Sequence, residues 1–181
     1  MAVTYVGLLR GINVGNAKRV AMADLRALVE KLGYGDVRTL LNSGNIVFTG
    51  PDAPPENAAA RIEAALFRRL GVSARVTVLT AAELAAVAAA NPLVDAAVTP
   101  SRLLVAVLAS PADRSRLKPL LKQDWAPEAL AIGARAAYLW CPDGVLASRV
   151  AKAVGRALSD NVTTRNWATV TRLLALSADK G

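Results

Sequence analysis

The first residues whose side chains could do chemistry lie in a glycine-hinged loop. Arg10-Gly11-Ile12-Asn13-Val14-Gly15 follows an apolar segment, and Lys18 comes shortly after it. Glycines let a backbone approach a ligand closely, and Arg10 and Lys18 carry charge that could neutralise an anion. A helical pattern follows, so its first N–H groups are expected to point toward the loop. We therefore predict that Arg10, Asn13, Gly15 and Lys18 bind a small anionic or phosphorylated ligand. The glycine spacing is neither a Walker loop nor a complete Gly-x-Gly-x-x-Gly, so a plain strand-to-helix connection stays open.

A second polar motif, Asn42-Ser43-Gly44-Asn45, has the composition of a hairpin turn. Its amides and hydroxyl make Asn42, Ser43 and Asn45 candidate ligand contacts, although Asx turns alone also explain these residue types. In a β-α-β-β-α-β order we expect this turn at the opposite end of the sheet from the glycine-hinged loop. The two motifs then share a site only if the hairpin bends or the second half folds over it.

The third motif, Thr163-Thr164-Arg165-Asn166-Trp167, stands before an apolar helical pattern. Thr164 or Asn166 suits the N-cap, and Trp167 suits a hydrophobic anchor. A positive charge at a helix N-terminus is mildly unfavourable, so Arg165 is expected to have another role. It either pairs with a carboxylate or joins Arg10 on an anion, with Asn166 as a further contributor from the second half.

These three ordered motifs resemble the bacterial DUF1697 family, a domain of unknown function. The resemblance implies a two-part α+β fold in a soluble bacterial protein, and it implies no established activity. The family usually has a second glycine where Asn16 stands in this chain.

A basic stripe supports an alternative function. Arg149, Lys152 and Arg156 recur on one face of a predicted helix over 145–158, opposite an apolar face that includes Leu146 and Val150. Such a stripe is either the solvated face of an amphipathic helix or a track for a nucleic-acid backbone. With aromatic residues at only 4% of the chain, base stacking is not expected to drive binding.

Composition limits the chemistry further. The chain has no histidine, which excludes Ser-His-Asp and Cys-His catalysis and most imidazole metal sites. Its one cysteine, Cys141, cannot form an internal disulfide and is expected to be a buried structural thiol. We predict no metal and no cofactor. The net charge of +8 favours anionic partners, and an enzyme acting on a phosphorylated substrate is the third hypothesis, although no catalytic residue can be nominated.

Periodicity predicts an α+β fold of two ferredoxin-like or related halves packed together. The first half, residues 1–79, has the order β-α-β-β-α-β, and the second, residues 80–181, repeats β-α-β-β-α in outline. Within it, residues 92–101 form a predicted loop, Ser110 begins a helix with Leu117, Leu120 and Leu121 inward, and residues 166–176 form the last helix. No apolar run approaches the roughly 20 residues that span a bilayer, and the start lacks a basic leader, so a cytoplasmic location is expected. The oligomeric state stays open.

Overall fold

The computed structural model describes residues 1–95 and 99–178. Its strands and α-helices are, in chain order, β1 Ala2–Leu9, α1 Met22–Lys31, β2 Gly35–Leu40, β3 Asn45–Pro51, α2 Pro55–Leu70, β4 Val76–Thr80, α3 Ala81–Ala89, β5 Leu103–Leu108, β6 Ala129–Ile132, β7 Ala136–Trp140, α4 Arg149–Leu158, β8 Val162–Asn166 and α5 Trp167–Ala178. Two 3-10 segments, Pro100–Arg102 and Pro111–Lys122, flank β5. The predicted loop over 92–101 lies partly outside the described residues.

The chain divides into two compact units, each with most of its contacts within itself. One contains Met1–Leu84 and the chain from Leu173 onward, and the other contains Ala85–Arg172. Within the first unit, Arg38 of β2 donates through Nη2 to the Leu176 carbonyl at 2.7 Å, near the end of α5. This bond joins the last helical turns to the first sheet.

The first unit has the predicted β-α-β-β-α-β order. Its sheet order is β2-β3-β1-β4, and every neighbouring pair is antiparallel. Leu25 and Leu28 of α1 and Ile62 and Leu66 of α2 are buried, as an apolar stripe at helical spacing requires, in one cluster with Phe48. Residues 71–75 connect α2 to β4, which begins at Val76.

The second unit repeats this topology. Its sheet order, β6-β7-β5-β8, is the first order displaced by four strands. The helix expected to begin at Ser110 is instead the 3-10 segment Pro111–Lys122. Pro119 within this segment has no N–H for an α-helical hydrogen bond. Leu117 is fully buried and Leu120 packs partly against the core, but the expectation that Leu121 points inward is wrong, because its side chain is exposed.

Two further boundaries differ from the sequence prediction. The last strand, β8, was not expected: Thr163, Thr164 and Arg165 pair with β5 and do not form a helix start. α4 begins at Arg149, because Ser148 caps it by accepting a hydrogen bond from the Ala151 N–H. The predicted helical turn over 145–148 is therefore wrong, and Leu146, assigned to its apolar face, is 90% exposed.

Candidate functional site

The β1–α1 loop, residues 10–21, is anchored at both ends by buried apolar side chains. Ile12 and Val20 are 2% and 3% exposed, so they fix the loop to the core of the first unit. In the same loop, Gly11 and Gly15 have positive φ angles of 66° and 52°, a backbone conformation that glycine adopts without strain. Asn13 also has a positive φ, 54°, which asparagine tolerates better than most residues.

The side chain of Asn13 fixes the loop to the β2–β3 turn, residues 41–44. Its Nδ2 donates to the Val20 and Asn42 carbonyls, both at 2.8 Å, and its Oδ1 accepts from the Val20 N–H at 2.8 Å. The Leu9 N–H donates to the Gly44 carbonyl at 2.9 Å and closes the same junction. The amide of Asn13 is thus used for positioning the loop.

The loop and the turn lie at the same end of the sheet, and the expectation of opposite ends is wrong. Leu8, near the end of β1, pairs with Asn45 at the start of β3. β1 and β2 both run antiparallel to β3, so β1 and β2 end at the same edge. The structure therefore brings the first two motifs together.

The turn has its own internal bonds. Asn45 is fully buried, and its Nδ2 donates to the Leu40 carbonyl at 2.8 Å and to Ser43 Oγ at 2.9 Å. A Cβ on Gly44, whose φ is 90°, would lie 2.8 Å from Leu9 Cβ. Ser43, Gly44 and Asn45 thus shape the turn, whereas the exposed Asn42 side chain faces outward from it.

A shallow depression of about 300 Å³ lies where the loop, the turn and the start of α1 meet. It is lined by Asn13, Arg19, Val20, Ala21 and Asn42. Arg19 Nη2 donates to the Gly15 carbonyl at 3.3 Å, a bond that uses one of its five N–H donors. α1 follows Ala21, whose side chain makes no cap hydrogen bond, and the first N–H groups of an α-helix have no acceptor within the helix.

Other cations surround this end of the sheet. Lys18 Nζ donates to the Gly71 carbonyl at 2.7 Å, at the C-terminus of α2, where the helix dipole favours a positive charge. The Arg10 N–H donates to the Arg75 carbonyl at 2.9 Å, which places these two arginines side by side. Sequence reasoning missed Arg75 and Arg19 as site residues. Arg75 could have been found from the sheet order, since it directly precedes β4, the neighbour of β1.

The third motif belongs to the second unit. Asn166 Oδ1 accepts from the Thr169 N–H at 2.9 Å, so Asn166 is the helix cap that the sequence predicted as one of two candidates. Arg165 lies on β8 opposite Val105, and its Nη1 donates to the Thr164 carbonyl at 3.0 Å. Burial lowers the pKa of Arg165 to about 10, which leaves its guanidinium charged at neutral pH.

Of the three residues of the basic stripe, Arg149, Lys152 and Arg156, the first contacts other residues of its own unit. Arg149 donates to the Trp125 carbonyl at 3.0 Å, forms an ion pair with Glu128 at 3.5 Å and lies over the Trp125 ring. Lys152 and Arg156 are exposed. Arg149 therefore already bonds to residues of its own unit, whereas Lys152 and Arg156 face solvent.

A buried polar chain explains the position of Glu128. Its carboxylate accepts hydrogen bonds from Ser148 Oγ and, at 2.9 Å, from the Arg149 N–H. Cys141 Sγ donates to Ser148 Oγ at 3.3 Å, and the thiol is buried, as predicted. Burial raises the pKa of Cys141, so this cluster stabilises the start of α4 and gives no activated thiolate.

The described residues contain neither a metal-binding cluster nor a membrane-spanning helix. Among residues 1–95 and 99–178, no group of three or more histidine, cysteine, aspartate and glutamate side chains could hold a metal ion. No helix in this part of the chain combines the length and apolar character needed to cross a bilayer.

Comparison with known proteins shows the family and the fold. The conserved bacterial protein SP0830 from Streptococcus pneumoniae is 20% identical, and its structure superposes with a TM-score of 0.76 over 98% of this chain and 99% of that one. This likeness concerns the fold alone. Protein BT0572 from Bacteroides thetaiotaomicron is 9% identical over 94% of this chain and 96% of its own, and a TM-score of 0.23 indicates no shared fold. No match to a curated protein was found.

A family model for "Protein of unknown function (DUF1697)" matches residues 2–138. This range includes the β1–α1 loop and the β2–β3 turn and ends before the Thr163–Trp167 motif. The chain belongs to the DUF1697 family.

Proposed function

We propose that the first unit binds a small anionic or phosphorylated ligand in the depression between the β1–α1 loop and the β2–β3 turn. The observation that supports this most is the junction made by Asn13, which holds loop and turn together so that Arg19 and Asn42 line one depression. At about 300 Å³ the depression is at the lower end of known ligand pockets, so it suits a phosphate, a diphosphate or a small phosphorylated metabolite.

Charge is the second support for the proposal. Arg19 supplies a guanidinium at the depression, and the adjoining start of α1 supplies N–H groups and the positive end of a helix dipole. Arg10, Lys18 and Arg75 add positive potential at the same end of the sheet, against Asp24 in the first turn of α1. In this proposal Arg19 and Asn42 contact the ligand, whereas Asn13 and Lys18 position the loop.

The test is thermal unfolding with inorganic phosphate, pyrophosphate, ATP and a short oligonucleotide, each at low and moderate salt. A ligand at one hundred times its Kd adds about 2.7 kcal/mol, which at this size raises Tm by roughly 5–10 °C. Arg19→Ala should remove the shift. Arg26→Ala is the matched control, since it deletes the same charge from an exposed position of α1.

The outcomes separate the proposal from its competitors. No shift with any phosphate compound, or equal shifts in wild type and Arg19→Ala, would contradict it. A rise in Tm with the oligonucleotide alone that disappears at moderate salt would instead favour contacts of Lys152 and Arg156 with a nucleic-acid phosphate backbone. Counterion release makes such binding steeply salt-dependent.

A further inference from the structure

A second cavity lies at the opposite end of the first sheet. It has a volume of about 210 Å³ and is lined by Tyr5, Tyr34, Arg61 and five residues within 51–58, from the end of β3 to the first turn of α2. Pro51, at the end of β3, pairs with Ala2, whereas the depression described above adjoins Leu8. Six residues of strand separate these two pairs, so the two sites are about 20 Å apart along β1.

The walls of this cavity are formed by aromatic rings held in place by the core. Phe48 stacks on Tyr5 with ring centroids 5.5 Å apart and contacts Tyr34 at 4.8 Å. Gly50 lets the Tyr34 ring approach β3, because a Cβ at that position would lie 2.8 Å from Tyr34 Cδ1. The Tyr5 hydroxyl donates to the Pro51 carbonyl at 2.7 Å. A ligand would therefore enter a cavity whose shape is already set, which lowers the cost of binding.

Arg61 and Tyr34 bring hydrogen-bond donors to this cavity. Arg61 Nη1 donates to the Tyr34 hydroxyl at 3.1 Å and Nη2 donates to the Leu32 carbonyl at 2.6 Å, while the guanidinium lies 5.1 Å from the centroid of the Tyr34 ring. Three of the five N–H donors of Arg61 have no partner among residues 1–95 and 99–178.

The Tyr34 hydroxyl completes this set of donors. The side chain is 8% exposed, and its oxygen accepts from Arg61, so its own proton is left to donate. Within the described part of the chain that proton has no acceptor. The exposed Asn57 amide also lines the cavity, whereas its acidic sequence neighbour Glu56 does not.

We propose that this cavity binds a single planar ring that carries an acceptor oxygen, as a carboxylate or a carboxamide. The volume exceeds the roughly 150 Å³ that accommodates benzene in an engineered cavity, which leaves room for one such substituent. The ring packs against the tyrosine and proline faces, and its oxygen accepts from Arg61 and from the Tyr34 hydroxyl. This site is separate from the proposed phosphate site and does not depend on it.

The test uses benzoate, benzamide and benzylamine as probes, followed by ¹H–¹⁵N NMR titration of the full chain. Benzoate or benzamide should bind with a Kd of about 1 mM, as expected of a fragment, and should shift the amides of residues 51–61. Tighter binding of benzoate would identify a carboxylate ligand, and tighter binding of benzamide a neutral one. Benzylamine, a cation without an acceptor oxygen, should bind at least tenfold more weakly.

Two variants distinguish this site from surface binding. Arg61→Gln should weaken binding of the better probe about tenfold, because it removes a charged donor. Arg68→Gln, the same change seven residues later on α2, should leave it unchanged. Ala53→Leu should block binding by filling the cavity from its rim, with Tm confirming that the variant folds.

Three results would overturn the proposal. They are the absence of shifts at residues 51–61 with both oxygen-bearing probes, equal binding of benzylamine, and full binding by Ala53→Leu.

Discussion

Replacement of Asn13 by alanine should destabilise the first unit more than any other single change in the β1–α1 loop outside the core. The change removes the three hydrogen bonds to Val20 and Asn42, each worth about 1 kcal/mol net. It also places alanine at a φ of 54°, which costs about 1 kcal/mol more. Since part of the junction is exposed and water replaces some bonds, we expect a loss of about 2–4 kcal/mol.

The assay is thermal unfolding measured by differential scanning calorimetry. For a chain of this size the loss lowers Tm by roughly 5–15 °C. Asn13→Gly keeps the backbone conformation and loses only the bonds, so its Tm should lie between those of Asn13→Ala and wild type. Asn16→Ala, an exposed asparagine in the same loop, should change stability by less than about 0.5 kcal/mol. Equal Tm values for Asn13→Ala and Asn16→Ala would refute the reasoning.

Three further outcomes are expected. Gly44→Ala should lower Tm more than Gly15→Ala, because both have positive φ but only the Gly44 Cβ would meet core atoms; equal losses would contradict this. Arg38→Met should speed amide hydrogen exchange in the last turn of α5, since it removes the bond to Leu176, and unchanged exchange would count against it. Burial raises the pKa of Cys141, so the folded state holds the thiol proton more tightly than the unfolded state, and the free energy of unfolding should fall as pH rises above about 8.5. Iodoacetamide should therefore modify Cys141 more slowly in the native protein than in the denatured protein, and equal rates would contradict this.

Apolar periodicity was sufficient to predict the fold of the first unit. Helical spacing in α1 and α2 and the turn residues between β2 and β3 gave the order of elements. β8 was missed because Thr163, Thr164 and Arg165 are polar and precede a helix, so capping explained them equally well. Only the pairing with β5, a contact between distant parts of the sequence, makes them a strand.

The sequence pointed to the polar residues of the candidate site but not to the contacts that each of them makes. The sequence identified the loop and the turn, but Asn13 and Lys18 bind backbone carbonyls of their own chain. Such roles depend on which carbonyl lies within reach in the folded chain, and spacing does not show this. The shared position of loop and turn, in contrast, follows from topology, because in this sheet order the first two strands are parallel to each other and end at one edge.

The proposed phosphate site is tested most directly by ¹H–¹⁵N NMR titration of the full chain with pyrophosphate. We expect saturable shifts concentrated at the amides of residues 19–24 and 42–44, and their loss in Arg19→Ala but not in Arg26→Ala. Saturable shifts confined to other parts of the chain, such as α4, or no shifts at all, would contradict the proposal.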